Sequence, residues 1–490
     1  MSDVKTLGVV GAGPMGQGIA QIGLQAGLNV VLYDLNREAL EKSAATMFSF
    51  IEKLESKGKL EAGATESARQ RLKLADGIDD FAPCEAVIEA IIERLEPKQK
   101  LFAQLEAVLA PDAIIASNTS SLSVAEIAAG CSTKDRICGL HFFNPVPLMR
   151  LVEVVVAPGT SEAVAERAVA LSQTIGKEPV VVKDGPGFLV NLQGRAYAQE
   201  GLQIVQEGVT DPGTVDRIMR DAMNFRMGPF ELMDLTGIDV NYPASTYIYE
   251  GYQHDPRLRT TTLHALMFNS GDLGRKTGKG FFDYSGDAGF PPSPAASANP
   301  PSFAPRIGEA SADIDALAAD VGWSEGNDVT LITPVGEDCS TACARLGLDP
   351  KTTIAIDCTA RTNMHLTVMA APGGSAMATQ VADWLRGKGF KVEVIKDSPG
   401  FVLQRVLGMI ANLGCELAQI AVGKPEDIDV AMKLAQNYPK GPMEIADWLG
   451  LDKLHAIMRK LQKITGSDRY RPSLWLRRRA QLGLSVYEAD

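Results

Sequence analysis

The chain has 490 residues, of which 45% are hydrophobic and 22% are charged, so it is long enough for about three or four globular domains. Its net charge of −12 argues against a nucleic-acid-binding surface. No apolar run approaches the ~18 residues of a transmembrane helix, no signal segment opens the chain, and the seven cysteines lack metal-ligand spacing. We expect a cytoplasmic protein with reduced thiols, no metal site, and no nucleic-acid or membrane partner.

A nucleotide-binding pattern opens the chain. The sequence predicts a strand over 5–10, then the loop GAGPMG, then a helix that begins at Gln17. The first glycine permits a tight turn, the second lets a pyrophosphate approach the backbone, and the third lets helix and strand pack. Unpaired N–H groups at the helix start then bind the phosphates. The predicted cofactor-binding residues of this loop are Gly11, Ala12, Gly13, Pro14, Met15 and Gly16.

The second predicted strand indicates which dinucleotide binds. It covers 29–33 and ends in Asp34, 18 residues after Gly16. A carboxylate at that point accepts hydrogen bonds from the ribose hydroxyls and repels a 2′-phosphate, which favours NAD over NADP. Arg37 keeps NADP open, because an arginine near this position can hold the 2′-phosphate.

The polar stretch over 37–74 is predicted to be helical, and it carries Lys53, Lys57 and Lys59. Such a charged stretch is usually a solvated face, but its lysines could also contact a phosphorylated substrate. The spacing of the lysines leaves both interpretations open.

Polar groups follow three further predicted strands at the point where each strand ends. Strands over 86–91 and 113–117 lead to Glu93 and to SNTSS at 117–121, and the next strand leads to His141. Ligands of open α/β sheets bind outside the carboxyl ends of the strands. We therefore expect these polar groups to share one edge of a sheet.

His141 and Glu153 are candidates for a catalytic pair. Glu153 lies in an otherwise apolar strand, and a buried carboxylate needs a partner. A neighbouring imidazole would supply one, and the pairing would fix the imidazole tautomer and raise its basicity. The alternative is that Glu153 pairs with Arg150 or Lys98 and that His141 only packs.

Five longer stretches are specific enough to compare with known families. They are SNTSSLSV (117–124), GLHFFNPVPLMRLVEVV (139–155), KDGPGFLVN (183–191), GPFELMDLTGID (228–239) and GRKTGKGFFDYS (274–285). Together they resemble the L-3-hydroxyacyl-CoA dehydrogenase family over about residues 4–286. The resemblance implies an α/β Rossmann-type NAD domain, an all-α C-terminal domain, and NAD-dependent oxidation of (S)-3-hydroxyacyl-CoA to 3-oxoacyl-CoA.

The resemblance also implies catalytic roles. It makes His141 the general base that removes the 3-hydroxyl proton and Glu153 the partner that orients it. Ser120 and Asn191 match the residues that hold the substrate oxygen and the nicotinamide. The family usually has arginine after that asparagine, whereas this chain has Leu192, for which we expect altered packing.

Cofactor and substrate contacts follow from the same resemblance. Glu93 and Lys98 match residues that line the NAD site, Ser120 is shared with it, and Asn144 falls in the nicotinamide-side loop. Lys57 matches a lysine near the coenzyme A phosphates. The predicted substrate contacts are therefore Ser120, Asn191 and Lys57.

The sequence repeats itself after a Pro-, Ala- and Ser-rich linker predicted over 286–306. KDGPGF recurs as KDSPGF (396–401), and GPFELMDLTGID recurs as GPMEIADWLGLD (441–452). The second copy has no GxGxxG loop, and Gln404 stands where the first copy has Asn191. The predicted domains are an NAD-binding Rossmann domain (1–185), a helical C-terminal domain (186–285), a degenerate Rossmann-like segment (307–395) and a second helical domain (396–490).

The duplicated tail resembles long bacterial members of the family. It implies an intrachain pseudo-dimer in place of the homodimer of shorter members, and it leaves higher oligomers open. These long members include enzymes of phenylacetate degradation that oxidise 3-hydroxyadipyl-CoA, while similar chains act on 3-hydroxybutyryl-CoA and longer acyl-CoAs. A dicarboxylate would require a cation, for which the candidates are Arg195, Arg226 and Arg275.

Two alternatives remain for the function. One is another NAD-linked dehydrogenase, acting on a hydroxy acid or on carnitine. The other is a non-catalytic relative that only binds NAD, against which the intact set of catalytic residues argues.

Overall fold

The computed structural model describes residues 2–286 and 292–489. Strands and helices alternate up to residue 183, helices follow, and a shorter version of the same pattern then recurs. The strands are β1 (Thr6–Val10), β2 (Asn29–Tyr33), β3 (Leu72–Leu74), β4 (Ala86–Glu89), β5 (Ile114–Ser117), β6 (Ile137–Phe142), β7 (Leu151–Val156), β8 (Glu178–Lys183), β9 (Pro305–Ile307), β10 (Val329–Ile332), β11 (Thr353–Asp357), β12 (His365–Ala370) and β13 (Lys391–Val394). The helices are α1 (Pro14–Gln25), α2 (Arg37–Ser56), α3 (Ala64–Arg71), α4 (Leu95–Val108), α5 (Val124–Ile127), α6 (Glu162–Thr174), α7 (Val190–Gln206), α8 (Pro212–Met223), α9 (Pro229–Thr236), α10 (Ile238–Gly251), α11 (Thr262–Ser270), α12 (Ala312–Val321), α13 (Cys339–Leu346), α14 (Ser375–Gly387), α15 (Leu403–Gln419), α16 (Pro425–Gln436), α17 (Pro442–Leu449), α18 (Leu451–Thr465) and α19 (Leu474–Leu482).

These elements form two compact units. The first contains the residues up to Asn191 together with Ala421–Gln436, so that α16 belongs to it. The second contains Leu192–Ile420 and the residues from Asn437 onward. Among the described residues, no helix combines the length and the apolar character needed to cross a membrane.

The first unit is built on a sheet of eight strands in the order β3-β2-β1-β4-β5-β6-β7-β8. Neighbouring strands are parallel except β6 and β7, which are antiparallel. Strands β4, β5 and β6 are buried along their whole length, as expected for apolar strands of a sheet covered on both faces. The carboxyl ends of β1, β4, β5 and β6 consequently lie at one edge of the sheet, as the sequence predicted.

The predicted continuous helix over 37–74 is wrong. The stretch contains α2, α3 and the edge strand β3, which pairs with β2. Gly58 follows the end of α2 with a φ of 66°, a left-handed backbone conformation that ends a helix, and Gly63 precedes α3 with a φ of 85°. The strand predicted over 86–91 is also shorter than expected, because β4 ends at Glu89.

The second unit contains a sheet of five strands in the order β13-β12-β11-β10-β9. Its strands are parallel except for β11 and β12, which repeats the β4-to-β8 half of the first sheet. Within the described residues this second sheet has no counterpart of β1, β2 and β3, the strands that flank the glycine loop in the first sheet. The predicted fold class, a Rossmann-type domain and helical domain followed by a degenerate copy of both, is confirmed.

The predicted linker over 286–306 is described only in part. Residues 287–291 lie outside the described residues. The segment that follows contains no helix, and Ser297 is fastened by hydrogen bonds from its backbone N and its hydroxyl to Asp383. Strand β9 already begins at Pro305, so the linker is slightly shorter than expected.

The helical repeat is regular. Helices α15, α16 and α17 begin 213 residues after α7, α8 and α9, because 403 − 190, 425 − 212 and 442 − 229 give the same difference. In the first unit, Lys183 N at the end of β8 donates to Val422 O at 2.9 Å. In the second unit, Lys396 N donates to Val209 O at 3.0 Å, and the residue numbers of this bond are related to those of the first by the same shift of 213. Each sheet is therefore bonded to the turn before the second helix of the other copy.

Candidate active site

The glycine loop between β1 and α1 has the geometry of a pyrophosphate site. Gly11 adopts a φ of 109°, and a Cβ at Gly16 would lie 1.8 Å from Gly11 O, so neither position accepts a side chain. Gly13 precedes α1, and a Cβ there would meet nothing within 4 Å, so the backbone is open on that side. No side chain caps the first N–H groups of α1. An anionic ligand can therefore bind these groups, and the loop fits the phosphates of a dinucleotide.

Asp34 lies beside this loop at the end of β2. Its carboxylate accepts hydrogen bonds from Ala12 N and from Asn36 N, both at 2.8 Å. The side chain of Arg37 pairs with Glu41 at 3.0 Å and with Asp76 at 2.9 Å. Two carboxylates thus balance the charge of Arg37, which removes the sequence argument for NADP.

A pocket of about 630 Å³ adjoins Asp34 and the glycine loop. Its wall includes Leu35 and Ile92, whose side chains are 92% and 63% exposed. Such large exposed apolar groups are suited to cover the flat faces of an adenine ring. Asp34 adds a carboxylate that can accept hydrogen bonds at the edge of this apolar pocket.

A buried ionic cluster follows β4 and holds Glu93. Lys98 is 1% exposed, and its ammonium contacts Glu89 at 2.5 Å and Glu93 at 3.1 Å. Glu93 also accepts hydrogen bonds from the Thr119 hydroxyl and from Ser120 N. Burial acts to raise the pKa of Glu93, but the Lys98 charge and these hydrogen bonds outweigh it and bring the pKa below its usual value. Lys98 therefore supports Glu93 and the Ser120 loop from inside the protein.

His141 and Glu153 face each other across the antiparallel pair β6–β7. Nδ1 of His141 lies 2.5 Å from Oε2 of Glu153, and Glu153 is fully buried. The second oxygen of Glu153 accepts hydrogen bonds from Leu189 N at 3.0 Å and Val190 N at 2.9 Å. These N–H groups belong to the start of α7, where a helix favours a negative charge.

The alternative partners of Glu153 are engaged elsewhere. Lys98 binds Glu89 and Glu93, as described above, and Arg150 lies 3.5 Å from Glu178. The rings of Phe143 and Phe188 lie beside His141, with centroid distances of 4.5 and 5.8 Å. His141 is thus more than a packed ring, because a buried carboxylate binds one of its nitrogens.

Ser120 and Asn191 come together at the same edge. Asn191, in the first turn of α7, donates from Nδ2 to Ser120 O at 3.3 Å. Ser120 is exposed on the loop after β5, where its backbone N is bound by Glu93 at 3.0 Å. The loop is fastened further by Asp184, which accepts hydrogen bonds from the Ser123 hydroxyl and from the first N–H groups of α5.

A second pocket of the first unit, of about 590 Å³, is lined by Asn144 and the residues after it, by α1, and by the end of α2. Lys53, Lys57 and Lys59 all line it, and they are exposed. Among the described residues none of these three lysines forms an ion pair, so their charges are open to a ligand. The resemblance predicts Lys57 near the coenzyme A phosphates. Lys53 and Lys59 are predicted only as possible contacts of a phosphorylated substrate.

Several contributors to the site were not predicted. Glu89, like Glu153, is an acidic residue inside an apolar strand, and this pattern could have identified it. Asp184 lies in the stretch KDGPGFLVN, for which the sequence predicts no role of the aspartate. Lys177, which binds two backbone carbonyls of the Asn144 loop, had no pattern that marked it.

Among the described residues of the second copy, no histidine pairs with a buried carboxylate as His141 does. Asp357 ends β11, at the position that His141 occupies in β6, and Gln404 donates to it at 3.1 Å. Burial raises the pKa of Asp357. His365 is buried, and burial lowers its pKa to about 4. Within the described part of the chain, no group of three or more His, Cys, Asp or Glu side chains is arranged to hold a metal ion.

The three arginines considered for a distal carboxylate differ in environment. Arg195 is buried and donates to the Ser245 hydroxyl at 2.8 Å, and burial lowers its pKa to about 10. Arg275 lies 3.2 Å from Glu231, and Arg226 is exposed.

Comparison with known proteins agrees with this geometry. Residues 6–185 match the NAD-binding domain of 3-hydroxyacyl-CoA dehydrogenases, and residues 187–284 and 400–486 match their C-terminal domain. The chain is 36% identical to 3-hydroxyadipyl-CoA dehydrogenase of Escherichia coli K12 over the full length of both chains. It is 39% identical to a probable 3-hydroxybutyryl-CoA dehydrogenase of Deinococcus radiodurans, over 56% of this chain and 99% of that protein.

A solved structure is similar over the whole chain as well. It is that of 3-hydroxybutyryl-CoA dehydrogenase from Escherichia coli K12, with a TM-score of 0.89, 35% identity, and coverage of 99% of this chain and 100% of that one. The glycine loop with Asp34, and the family match of the domain that contains them, identify NAD as the cofactor. The chain therefore belongs to the 3-hydroxyacyl-CoA dehydrogenase family, and it is an NAD-dependent oxidoreductase that acts on 3-hydroxyacyl-CoA.

Proposed function

We propose that His141 is the general base of the reaction and that Glu153 orients it. The observation that carries this proposal is the 2.5 Å contact between Nδ1 of His141 and the buried carboxylate of Glu153. With Nδ1 donating to Glu153, Nε2 is the nitrogen that accepts the proton of the substrate 3-hydroxyl. The negative charge of Glu153 then stabilises the imidazolium that forms.

Ser120 and Asn191 hold the reacting oxygen and the nicotinamide in this proposal. The hydrogen bond between Asn191 and Ser120 O links the two residues, and Glu93 fixes the Ser120 backbone. Bound NAD supplies the hydride acceptor for C3 of the substrate. In the reducing direction, His141 returns the proton to the oxygen of the 3-oxo group.

The remaining cofactor contacts fall to the glycine loop and its neighbours. Ala12 and Gly13 bring backbone N–H groups to the pyrophosphate, and Asp34 binds the ribose hydroxyls. Glu93, supported by Lys98, and Asn144 line the nicotinamide side. The support is the openness of Gly13 and the pairing of Arg37 with two carboxylates. The full set of proposed cofactor contacts is Gly11, Ala12, Gly13, Pro14, Met15, Gly16, Asp34, Glu93, Lys98, Ser120 and Asn144.

The pocket lined by Asn144 and the three lysines receives the coenzyme A part of the substrate in this proposal. Coenzyme A carries three phosphates, and three lysines, Lys53, Lys57 and Lys59, line this pocket. Asn144, in the loop that follows β6, lines the same pocket.

3-Hydroxyadipyl-CoA is the proposed acyl substrate. A relative that matches this chain from end to end carries that name, whereas a relative named for 3-hydroxybutyryl-CoA matches 56% of the chain. Against this, the solved structure similar over the full length is named for 3-hydroxybutyryl-CoA. The experiment compares kcat/KM for 3-hydroxyadipyl-CoA with kcat/KM for 3-hydroxybutyryl-CoA, both with NAD. A higher value for 3-hydroxyadipyl-CoA supports the dicarboxylate as substrate, and a lower value overturns it.

The catalytic proposal is tested by a single substitution. The purified protein is mixed with acetoacetyl-CoA and NADH, the loss of NADH absorbance is followed, and NADPH is run alongside. His141→Gln should lower kcat by about 10²–10⁴-fold, the usual contribution of a general base, with little change in the KM for NADH. Activity of the variant close to that of the wild type would overturn the assignment.

We also propose that the two helical copies form a pseudo-dimer within one chain. In the second unit, Arg405 and Arg469 of the second copy each bind Glu200 of the first at 2.8 Å, and all three side chains are buried. Gln193 of α7 donates to Ile410 O of α15 at 2.9 Å. These contacts support a direct helix-to-helix interface between the copies.

This interface is not symmetric. By the shift of 213 residues, the counterpart of Arg405 is Leu192 and the counterpart of Glu200 is Leu413, and both leucines are buried. An ion pair on one side is thus replaced by two apolar residues on the other. Pairing of two first copies would bury Glu200 without its arginine, which is costly. We therefore expect that two chains do not dimerise through this face; a dimer in light scattering that Glu200→Leu dissociates would contradict this.

The domain limits given by the sequence stay a proposal, with one refinement. Segment 396–490 is a unit of sequence repeat, whereas its part Ala421–Gln436 packs within the first compact unit. A cytoplasmic location is also proposed. All seven cysteines are buried free thiols, which fits a reducing compartment, and cell fractionation tests it.

A further inference from the structure

Lys177 is a buried lysine whose ammonium binds backbone. It lies between α6 and β8 and is 8% exposed. Its Nζ donates to Val146 O at 2.5 Å and to Met149 O at 2.7 Å. An ammonium taken out of water needs such acceptors, and two carbonyls of one short loop supply them. The contact therefore ties the loop of residues 143–150, which joins β6 to β7, to the start of β8.

The same loop forms one wall of the pocket described above. Asn144, Val146 and Leu148 line the cavity of about 590 Å³, as does Lys57. Val146 is pressed against α1, because a Cβ on Gly18 would lie 2.6 Å from Val146 Cβ. The wall thus has two fixed sides, one at α1 and one at the ammonium of Lys177.

The loop also connects the catalytic pair. His141 lies in β6, one residue before its end, and Glu153 lies three positions into β7. Their contact is fixed by the strand pairing and by Leu189 N and Val190 N, independently of Lys177. Loss of the ammonium should consequently disturb the pocket wall more than the base itself.

We propose that Lys177 is a positioning residue, whose ammonium holds the 143–150 loop in the shape that binds the coenzyme A part of the substrate. This rests on the proposed role of the lysine-lined pocket. The residue does not touch the reacting atoms, and it acts on the substrate through Val146 and Met149.

A second property of Lys177 gives the proposal a pH readout. Burial lowers its pKa to about 8, whereas the adjoining charged pair, Arg150 and Glu178, is exposed and faces solvent. As the pH rises through this value, the ammonium loses its charge, and its bonds to the two carbonyls weaken. Substrate affinity should therefore fall above about pH 8, while the fastening of His141 by Glu153 stays in place.

The test compares Lys177→Met, Lys177→Arg and the wild type with 3-hydroxybutyryl-CoA and NAD. Lys183→Met is the matched control, because Lys183 is exposed on β8. Lys177→Met should raise the KM for the acyl-CoA about tenfold, the usual effect of losing a charged hydrogen bond, with the KM for NAD unchanged. Lys177→Arg should restore part of the loss, and the control should match the wild type.

The pH profile supplies the second arm. In the wild type, the KM for the acyl-CoA should rise between about pH 7.5 and 9, and in Lys177→Met it should be high and flat. Equal changes in both KM values, or a fall in kcat alone, would overturn the positioning role. If Lys177→Met fails to fold, the wild-type profile and Lys177→Arg still decide, since a flat wild-type profile contradicts the proposal. Absence of wild-type turnover with any acyl-CoA would instead refute the proposed function of the pocket.

Discussion

Replacing Glu153 by glutamine should disable the base while keeping the shape of the site. Glu153 uses one oxygen for His141 and the other for Leu189 N and Val190 N. A glutamine has one oxygen, and the two N–H groups at the start of α7 will claim it. Its NH₂ then faces Nδ1 of His141, so the imidazole must carry its proton on Nε2, where it cannot act as a base.

The magnitude follows from the charge that is lost. Imidazolium and carboxylate centres about 4 Å apart interact by about 4 kcal/mol at an effective dielectric constant of about 20. That energy corresponds to a fall in kcat of about 10³-fold. The KM for NAD should hardly change, because Glu153 does not line the pocket beside Asp34.

Stopped-flow or steady-state measurement of kcat in both directions checks this prediction, with circular dichroism to establish folding. Glu178→Gln is the control, since its carboxylate is about half-exposed on the neighbouring strand β8. A Glu153→Gln variant within tenfold of the wild type would refute the role of the carboxylate in orienting His141.

Three further predictions concern other residues. Asp34→Asn should raise the KM for NAD by about tenfold and improve turnover with NADP, as ratios of kcat/KM will measure; an unchanged ratio would contradict the role of Asp34. Lys57→Met should weaken binding of 3-hydroxybutyryl-CoA but not of its pantetheine thioester, and the difference should vanish at high salt, as KM values in titrations of NaCl will reveal. Arg405→Met should destabilise the second unit by about 3 kcal/mol, because it leaves the buried Glu200 with Arg469 as its remaining arginine partner, whereas Arg345→Met, at the partly exposed ion pair with Glu309, should cost about 1 kcal/mol or less. Calorimetric unfolding tests the last prediction, and equal shifts in Tm would contradict it.

Much of the fold could be predicted from local pattern. The loop from Gly11 to Gly16 and the acid at Asp34 obey fixed spacings, because a strand, a tight turn and a helix must follow one another at a phosphate site. The pairing of His141 with Glu153 could be suspected, since an acid in an apolar strand demands a partner. Choosing between partners required the register of β6 and β7, which the sequence does not give.

Other features depend on long-range contacts that leave little local trace. The short edge strand β3 forms because β2 offers backbone groups for pairing. This contact leaves no pattern in the stretch over 37–74 itself, which therefore predicts a helix. The ammonium of Lys177 is meaningful only once the 143–150 loop lies beside it. Likewise, the repeat around 396–401 is visible in the sequence, but the assignment of Ala421–Gln436 to the first unit is not.

The asymmetric contact between α7 and α15 has an evolutionary consequence. A symmetric dimer uses the same surface patch on both subunits, so every substitution appears on both sides of the interface at once. The changed patch must then remain complementary to itself. Once two copies share one chain, each side can change alone. The difference between Leu192 in the first copy and Arg405 at the matching position of the second copy is of that kind, because each half needs to suit only the other. Two copies within one chain thus remove the need for self-complementarity from this surface, so that an ion pair can stand on one side of it and apolar residues on the other.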